Sequence, residues 1–269
     1  MNFSRIVIVD AASLGIGTTH GTKRADTLGH LDAQYLLDVP TLEQLGLGNI
    51  YRRPVFLTLP KVARPLGFYG ELQISAASGT QTSGLREMFD FNQPLRTLSV
   101  FNYMARHHYT TVIISRFISY LADQDVCTQI QGADDNEAFK KLMIQFQQMD
   151  TGLIYLQVPE LSYAAHQKDS QGYAARLSLL DKHLEILMSK MTNTDLLIFT
   201  SSFANDPTDL KQQITRENLP LLMYTPAIAQ GSSLGVHRST GVIAATIIDN
   251  FKIGVTKTLL KQSLLPLIK

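Results

Sequence analysis

The sequence contains a single cysteine, Cys127, among 269 residues. An internal disulfide framework is therefore excluded. No Cys/His group has the spacing of a zinc site. Acidic neighbours, Asp123 and Asp125, disfavour a thiolate at Cys127, which reads as an inert thiol. An excess of charge of either sign is also lacking. Twenty-four Lys and Arg balance 23 Asp and Glu, for a net charge of +1. That balance gives neither the broad basic field of a nucleic-acid binder nor an acidic tail. The densest basic cluster, Arg106-His107-His108, reads as a helix end whose cations face the C-terminal dipole. The first apolar run, Ile6–Val9, is too short for a signal-peptide core or a membrane span. The expectation is a cytoplasmic protein that binds neither membrane nor nucleic acid. Internal repeats and low-complexity linkers are missing too, so residues 1–269 are expected to form a single domain.

Hydrophobic residues make up 45% of the chain, enough for a substantial core. Short aliphatic runs recur at Ile6–Val9, Thr110–Ile114, Leu153–Val158, Leu196–Thr200 and Leu221–Tyr224. They read as strands buried on both faces. Amphipathic helical patterns lie between them. In Ser170–Met191 the residues Tyr173, Leu177, Leu180, Leu184, Leu187 and Met191 form one stripe. Asn136–Met149, with Asn136 as N-cap, and Thr240–Phe251 are predicted as two further helices. Strands alternating with helices predict an α/β fold, a three-layer sandwich around a mainly parallel sheet. Ligand sites in such sheets lie beyond the C-terminal strand ends. That rule directs attention to Asp10–Gly17, Pro159–His166 and Ser201–Pro207.

Those segments carry a family resemblance. Ala12-Ser13-Leu14-Gly15-Ile16-Gly17 resembles the Asp-Ser-Val-Gly-Ile-Gly opening of phosphopentomutases, metalloenzymes of the alkaline phosphatase superfamily. Ala25-Asp26-Thr27-Leu28-Gly29-His30 and Leu45-Gly46-Leu47-Gly48-Asn49-Ile50 match further signatures. Ser78-Gly79-Thr80-Gln81-Thr82-Ser83-Gly84-Leu85-Arg86-Glu87 resembles a worn nucleophile loop. Gly172-Tyr173-Ala174-Ala175, Asp181, Asn205-Asp206-Pro207, Thr215-Arg216-Glu217 and Pro220 complete the match. The resemblance implies an alkaline-phosphatase-like core, running from Arg5 to the C-terminus.

Two departures follow from the same alignment. The family carries a cap domain after its nucleophile loop, whereas here the chain continues from about residue 88 to residue 96 without one. The family also binds two divalent metals, typically manganese, through Asp and His side chains. Position by position, those ligands fall on Ala12, Leu161, His166, Ser202, Phe203 and Ile214, and the nucleophilic threonine on Gln81 or Thr82. Only His166 keeps a ligand-type side chain. One imidazole cannot hold manganese, which requires several oxygen ligands. Asp10 lies two residues from the lost first aspartate, one pleat deeper in an extended strand. Glu160 adjoins Leu161 but would point the other way in an extended segment. Asp26 and His30 belong to a retained structural motif, and a new cluster of these two with His20 is the less favoured reading.

Thr82 and Ser83 keep hydroxyls in the loop, yet no base or metal to activate them is evident nearby. The sequence therefore predicts a non-catalytic phosphopentomutase-like protein, a pseudoenzyme without a cofactor. It would bind a small ligand, a protein partner or another copy of itself through the former metal face. The alternative is an enzyme of altered mechanism acting on a phosphate ester or sugar phosphate, with Thr82, Ser83, Ser202 and His166 as candidates and a divalent metal such as manganese as its cofactor.

Overall fold

The computed structural model describes residues 2–18, 25–50, 58–75, 81–90, 99–116, 121–122, 125–211, 214–254 and 262–268. His20, residues 76–80 and residues 91–98, where the cap is expected to be missing, lie outside them. Eight strands form one sheet: β1 (Arg5–Asp10), β2 (Phe68–Leu72), β3 (Thr110–Ile114), β4 (Thr128–Ile130), β5 (Gly152–Gln157), β6 (Asp195–Thr200), β7 (Leu219–Tyr224) and β8 (Ser233–His237). Their order is β4-β3-β5-β1-β6-β7-β2-β8. Only β7 runs against its neighbours, pairing antiparallel with both β6 and β2. The sheet is thus mostly parallel, as the alternation of runs predicts.

All five predicted strands are present. The central ones, β1, β5 and β6, have almost no exposed residue. This is why they read as continuous apolar runs rather than alternating ones. β2, β4 and β8 were not predicted. β4 has three residues, too few for a pattern. β8 is an edge strand with Gly235 at φ 76° and mixed exposure, and β2 shows a register shift against it.

The helices are α1 (Thr27–Gln34), α2 (Pro40–Leu45), α3 (Leu47–Ile50), α4 (Gln81–Asp90), α5 (Val100–Arg106), α6 (Asp135–Gln148), α7 (Pro159–His166), α8 (Ser170–Met188) and α9 (Val242–Asn250). Alternate β1 side chains divide between two cores. Val7 and Val9 pack with Leu28, Leu42, Phe139, Leu161 and Leu177 of α1, α2, α6, α7 and α8. Ile6 and Ile8 pack with Met88, Phe101 and Ile247 of α4, α5 and α9. Helices on both faces of the sheet make the three layers. The α8 stripe is buried as predicted, and Met191 packs just beyond the helix end.

α6 departs from prediction at its start. Asp134 is the N-cap, its carboxylate accepting from the Glu137 N–H at 2.8 Å. Asn136 lies inside the helix, where its side-chain oxygen meets His183 Nε2. The basic cluster sits at a helix end as expected. Arg106 closes α5, His107 is its C-cap and His108 has φ 61°. Among the described residues no helix is long and apolar enough to cross a membrane.

Candidate functional site

β1, β3, β5 and β6 present their C-terminal ends on one side of the sheet. Asp10 is the last residue of β1 and is fully buried. Its Oδ1 accepts from the Ser202 N–H at 2.8 Å, and its Oδ2 from Tyr155 Oη at 2.7 Å and Gln157 Nε2 at 3.1 Å. Burial still pushes this carboxyl above the usual range, because hydrogen bonds from Tyr155, Ser202 and Gln157 do not replace hydration. Asp10 is thus a structural tie between β1, β5 and the loop after β6.

The chain beyond β1 is tightly held. Ser13 has φ 91°, a strained conformation for a side-chain-bearing residue. Its N–H donates to Phe203 O at 3.0 Å, its carbonyl accepts from Asn205 N at 3.0 Å, and its Oγ donates to Tyr173 Oη at 3.2 Å. Gly15 must be glycine, since a Cβ there would overlap the Glu217 carboxylate.

The positions aligned with family ligands divide by burial. Ala12, Leu161, Ser202 and Phe203 are at most 1% exposed. Leu161 belongs to the core beneath α7 and α8. Pro159–His166 is helical, so the post-strand segment is not the extended stretch assumed for Glu160. Glu160 is half-buried and caps α6. Ile214 is half-exposed. His166, half-buried at the end of α7, donates through Nδ1 to Ser162 O at 2.7 Å and meets the Phe203 ring edge-on at 6.5 Å.

Thr82 and Ser83 lie in the first turns of α4 rather than in a loop, and Gln81 begins that helix. Gly84 packs so closely on the Ser202 carbonyl that a Cβ would overlap it. This contact sets α4 against the segment that follows the end of β6. Ser202 Oγ is buried beside the Asp10 carboxylate.

Two-metal chemistry needs convergent anionic or imidazole ligands. The aligned positions supply a methyl group, an isobutyl chain, a hydroxymethyl, a phenyl ring and a half-exposed sec-butyl chain beside one histidine. Among the described residues no group of three or more His, Cys, Asp or Glu is arranged to hold a metal. This donor set does not fit a two-metal centre.

The retained acidic motifs do other work. Asp26 caps α1 by accepting from Gly29 N. Glu217 accepts from Gly17 N, Thr27 N, Thr27 Oγ1 and Thr215 Oγ1 at 2.6–3.0 Å. Asp181 accepts from Thr41 N and Leu42 N, capping α2 from α8. Asp206 accepts from Asp26 N and Thr208 and pairs with His30 Nδ1 at 2.6 Å. Burial pushes the Asp206 carboxyl up, but the bonds from Thr208, His30 and Asp26 outweigh it and hold it below the usual range. Asp26 and His30 are thereby absorbed into structure, as their motif predicts. Cys127 is half-buried, and burial pushes its thiol up to about 11.

Beside these positions lies a cleft of about 300 Å³, lined by Arg116, Gln157, Ser162, Tyr163 and His166 among others. Arg116 follows β3, Gln157 ends β5, and the rest come from α7. The sequence reading did not single out Arg116. Its signal was a lone arginine two residues beyond a predicted strand.

Comparison with known proteins agrees with this architecture. A phosphopentomutase from Syntrophotalea carbinolica is 29% identical over 195 residues, 72% of this chain and 48% of that protein. One from Clostridium tetani is 38% identical over 100 residues, 37% of this chain and 25% of that protein. The chain thus spans about half or less of these relatives. A protein of the alkaline phosphatase superfamily from Vibrio parahaemolyticus shares the fold at a TM-score of 0.60 and 9% identity, covering 99% of this chain and 70% of that one. The soluble domain of lipooligosaccharide phosphoethanolamine transferase A from Neisseria meningitidis matches at 0.56 and 10%, covering 96% and 90%. Residues 121–255 match the family described as the Metalloenzyme superfamily. On the evidence of its mostly parallel sheet, its phosphopentomutase-like motifs and this match, the chain belongs to the Metalloenzyme superfamily.

Proposed function

We propose that this chain is a non-catalytic, phosphopentomutase-like protein of the superfamily that binds a small anionic ligand beside the former metal face. One observation carries the reading: Ala12, Leu161 and Phe203, aligned with metal ligands, are buried core residues. Burying Leu161 and Phe203 contributes roughly 1.5–3 kcal/mol each, so the scaffold gains from their apolar character. The ligand reading rests on the adjoining cleft. Arg116 supplies a permanent cation and Gln157 and Ser162 supply neutral polar groups. Tyr163, 55% exposed, offers an aromatic wall. A sugar phosphate suits this lining. Calorimetric titration with ribose 5-phosphate in the presence of a chelator tests it. Metal-independent binding that Arg116→Ala abolishes supports the reading; no binding, or binding only with manganese, contradicts it. A protein partner or a second copy of the chain is the alternative occupant, read from a change in molecular mass on mixing.

A second reading, an enzyme of altered mechanism, draws on the packing of Gly84 of α4 against the Ser202 carbonyl, with Thr82 and Ser83 in the same helix. A phosphate-ester turnover screen distinguishes it. Turnover lost in Thr82→Ala or Ser83→Ala favours the enzyme, and turnover unaffected by either substitution points to a contaminant.

A further inference from the structure

The N-termini of α6 and α7 meet at a pair of carboxylates. Asp135, the first residue of α6, accepts at Oδ1 from the Glu160 N–H at 3.0 Å. Glu160, in the first turn of α7, accepts at Oε2 from the Asp135 N–H at 3.0 Å. Each carboxylate therefore caps the other's helix. Asp135 is 1% exposed, and its Oδ2 is buried with no hydrogen-bond partner. Glu160 Oε1 lies 3.5 Å from Arg176 Nε of α8, and Arg176 Nη1 lies 3.8 Å from Asp169. Asp134 adds a further negative charge beside Asp135, and Lys141 faces Glu137 at 2.7 Å on the outer side of α6.

The turn before α6 ties this pair to the cleft. Arg116 Nη2 donates to Ala133 O at 3.0 Å, and Ala133 N donates to Glu137 Oε2 at 2.6 Å. One wall of the cleft, Arg116, is thus fastened to the turn at 133. The other wall, α7 with Ser162, Tyr163 and His166, is fastened to the same turn through Glu160 and Asp135.

We propose that the Asp135–Glu160 pair is a proton-operated clasp that holds the two walls of the cleft together and tightens on acidification. The open oxygen of Asp135 accepts the proton without breaking either reciprocal bond. That proton removes a charge facing Glu160 and Asp134 and leaves Glu160 paired with Arg176. Burial, then the charges of Glu160 and Asp134, outweigh the Glu160 N–H and Arg176 and push the Asp135 carboxyl up to about 7. In an opened clasp Asp135 is hydrated and titrates near its ordinary value of 3.8. Between these two values the closed form holds a proton that the open form has released. Closure therefore weakens about tenfold per pH unit as pH rises across this window, and levels off above about 7.

The test reads the clasp, not the ligand, so it stands or falls apart from the reading of the cleft. Carboxyl carbon NMR of the full chain labelled at aspartate is expected to show Asp135 titrating near neutrality. Hydrogen exchange at the first turn of α7, corrected for intrinsic rates, is expected to show opening that rises with pH between 5 and 7, and a flat profile in Asp135→Asn. Titration of Asp135 below pH 5 would overturn the proposal. So would a slope that persists in Asp135→Asn. If that variant does not fold, Glu160→Gln serves, and it is expected to move the Asp135 midpoint downward by removing the facing charge. An unmoved midpoint contradicts the clasp.

Discussion

Two sets of buried positions in this molecule differ in chemistry. Asp26, Asp181, Asp206 and Glu217 are buried acids, and each carboxylate receives hydrogen bonds from backbone N–H groups supplied by the fold. Ala12, Leu161 and Phe203 are equally buried and have no ionisable group. The difference is physical. A carboxylate satisfied by fixed donors stabilises a fold without any cation. A cluster of carboxylates whose natural partner is a metal repels itself when the metal is missing. These four acids are each held by donors of the fold itself.

The comparison can be broken by returning a charge to the apolar set. Leu161→Asp is expected to destabilise by about 4 kcal/mol, since it buries a carboxylate in core and opens a cavity. Denaturant unfolding measures this, and added manganese is expected not to restore the loss. On the other side, Glu217→Ala removes the acceptor of four donors and is expected to cost about 3 kcal/mol. The same method checks it. Asp181→Ala, which uncaps α2, is expected to lose about 1–2 kcal/mol.

Asp206 sharpens the contrast through pH. Its folded-state value lies below the ordinary 3.8, so its contribution is fully present above 3.8 and is lost as pH falls through the lower, folded value. Asp206→Asn is expected to flatten that acid limb in a thermal-unfolding series, against the unaltered chain. Glu217 works in the opposite sense, because burial raises it above 4.5. It favours folding least above its raised value. The smallest effect is expected at Ser13→Gly, a change within about 1 kcal/mol. Relief of the positive φ there offsets loss of the bond to Tyr173.

The sequence exposed the central strands, because β1, β5 and β6 are apolar on both faces. It exposed the α8 stripe for the same reason. It did not expose β4 or β8, where three residues or an edge glycine carry no periodic signal. The start of α6 was misplaced because Asp134, Asp135 and Asn136 are all good capping residues, and only the reciprocal bond with Glu160 selects among them. The positions aligned with family ligands come from motifs alone. Their burial could not be read there, since Leu161 and Phe203 could equally have formed an exposed patch. The cleft was hidden for a different reason. Arg116 and Tyr163 are 47 positions apart in the chain, and only the pairing of β3 with β5 brings their segments together.

The proposed function holds that this member of the superfamily has core residues where its relatives hold metals. Metal analysis of the full chain, saturated with manganese and then dialysed, tests it most directly. The account predicts a metal content well below one per chain and an unfolding temperature unchanged by manganese. Two tightly bound metals per chain would contradict it.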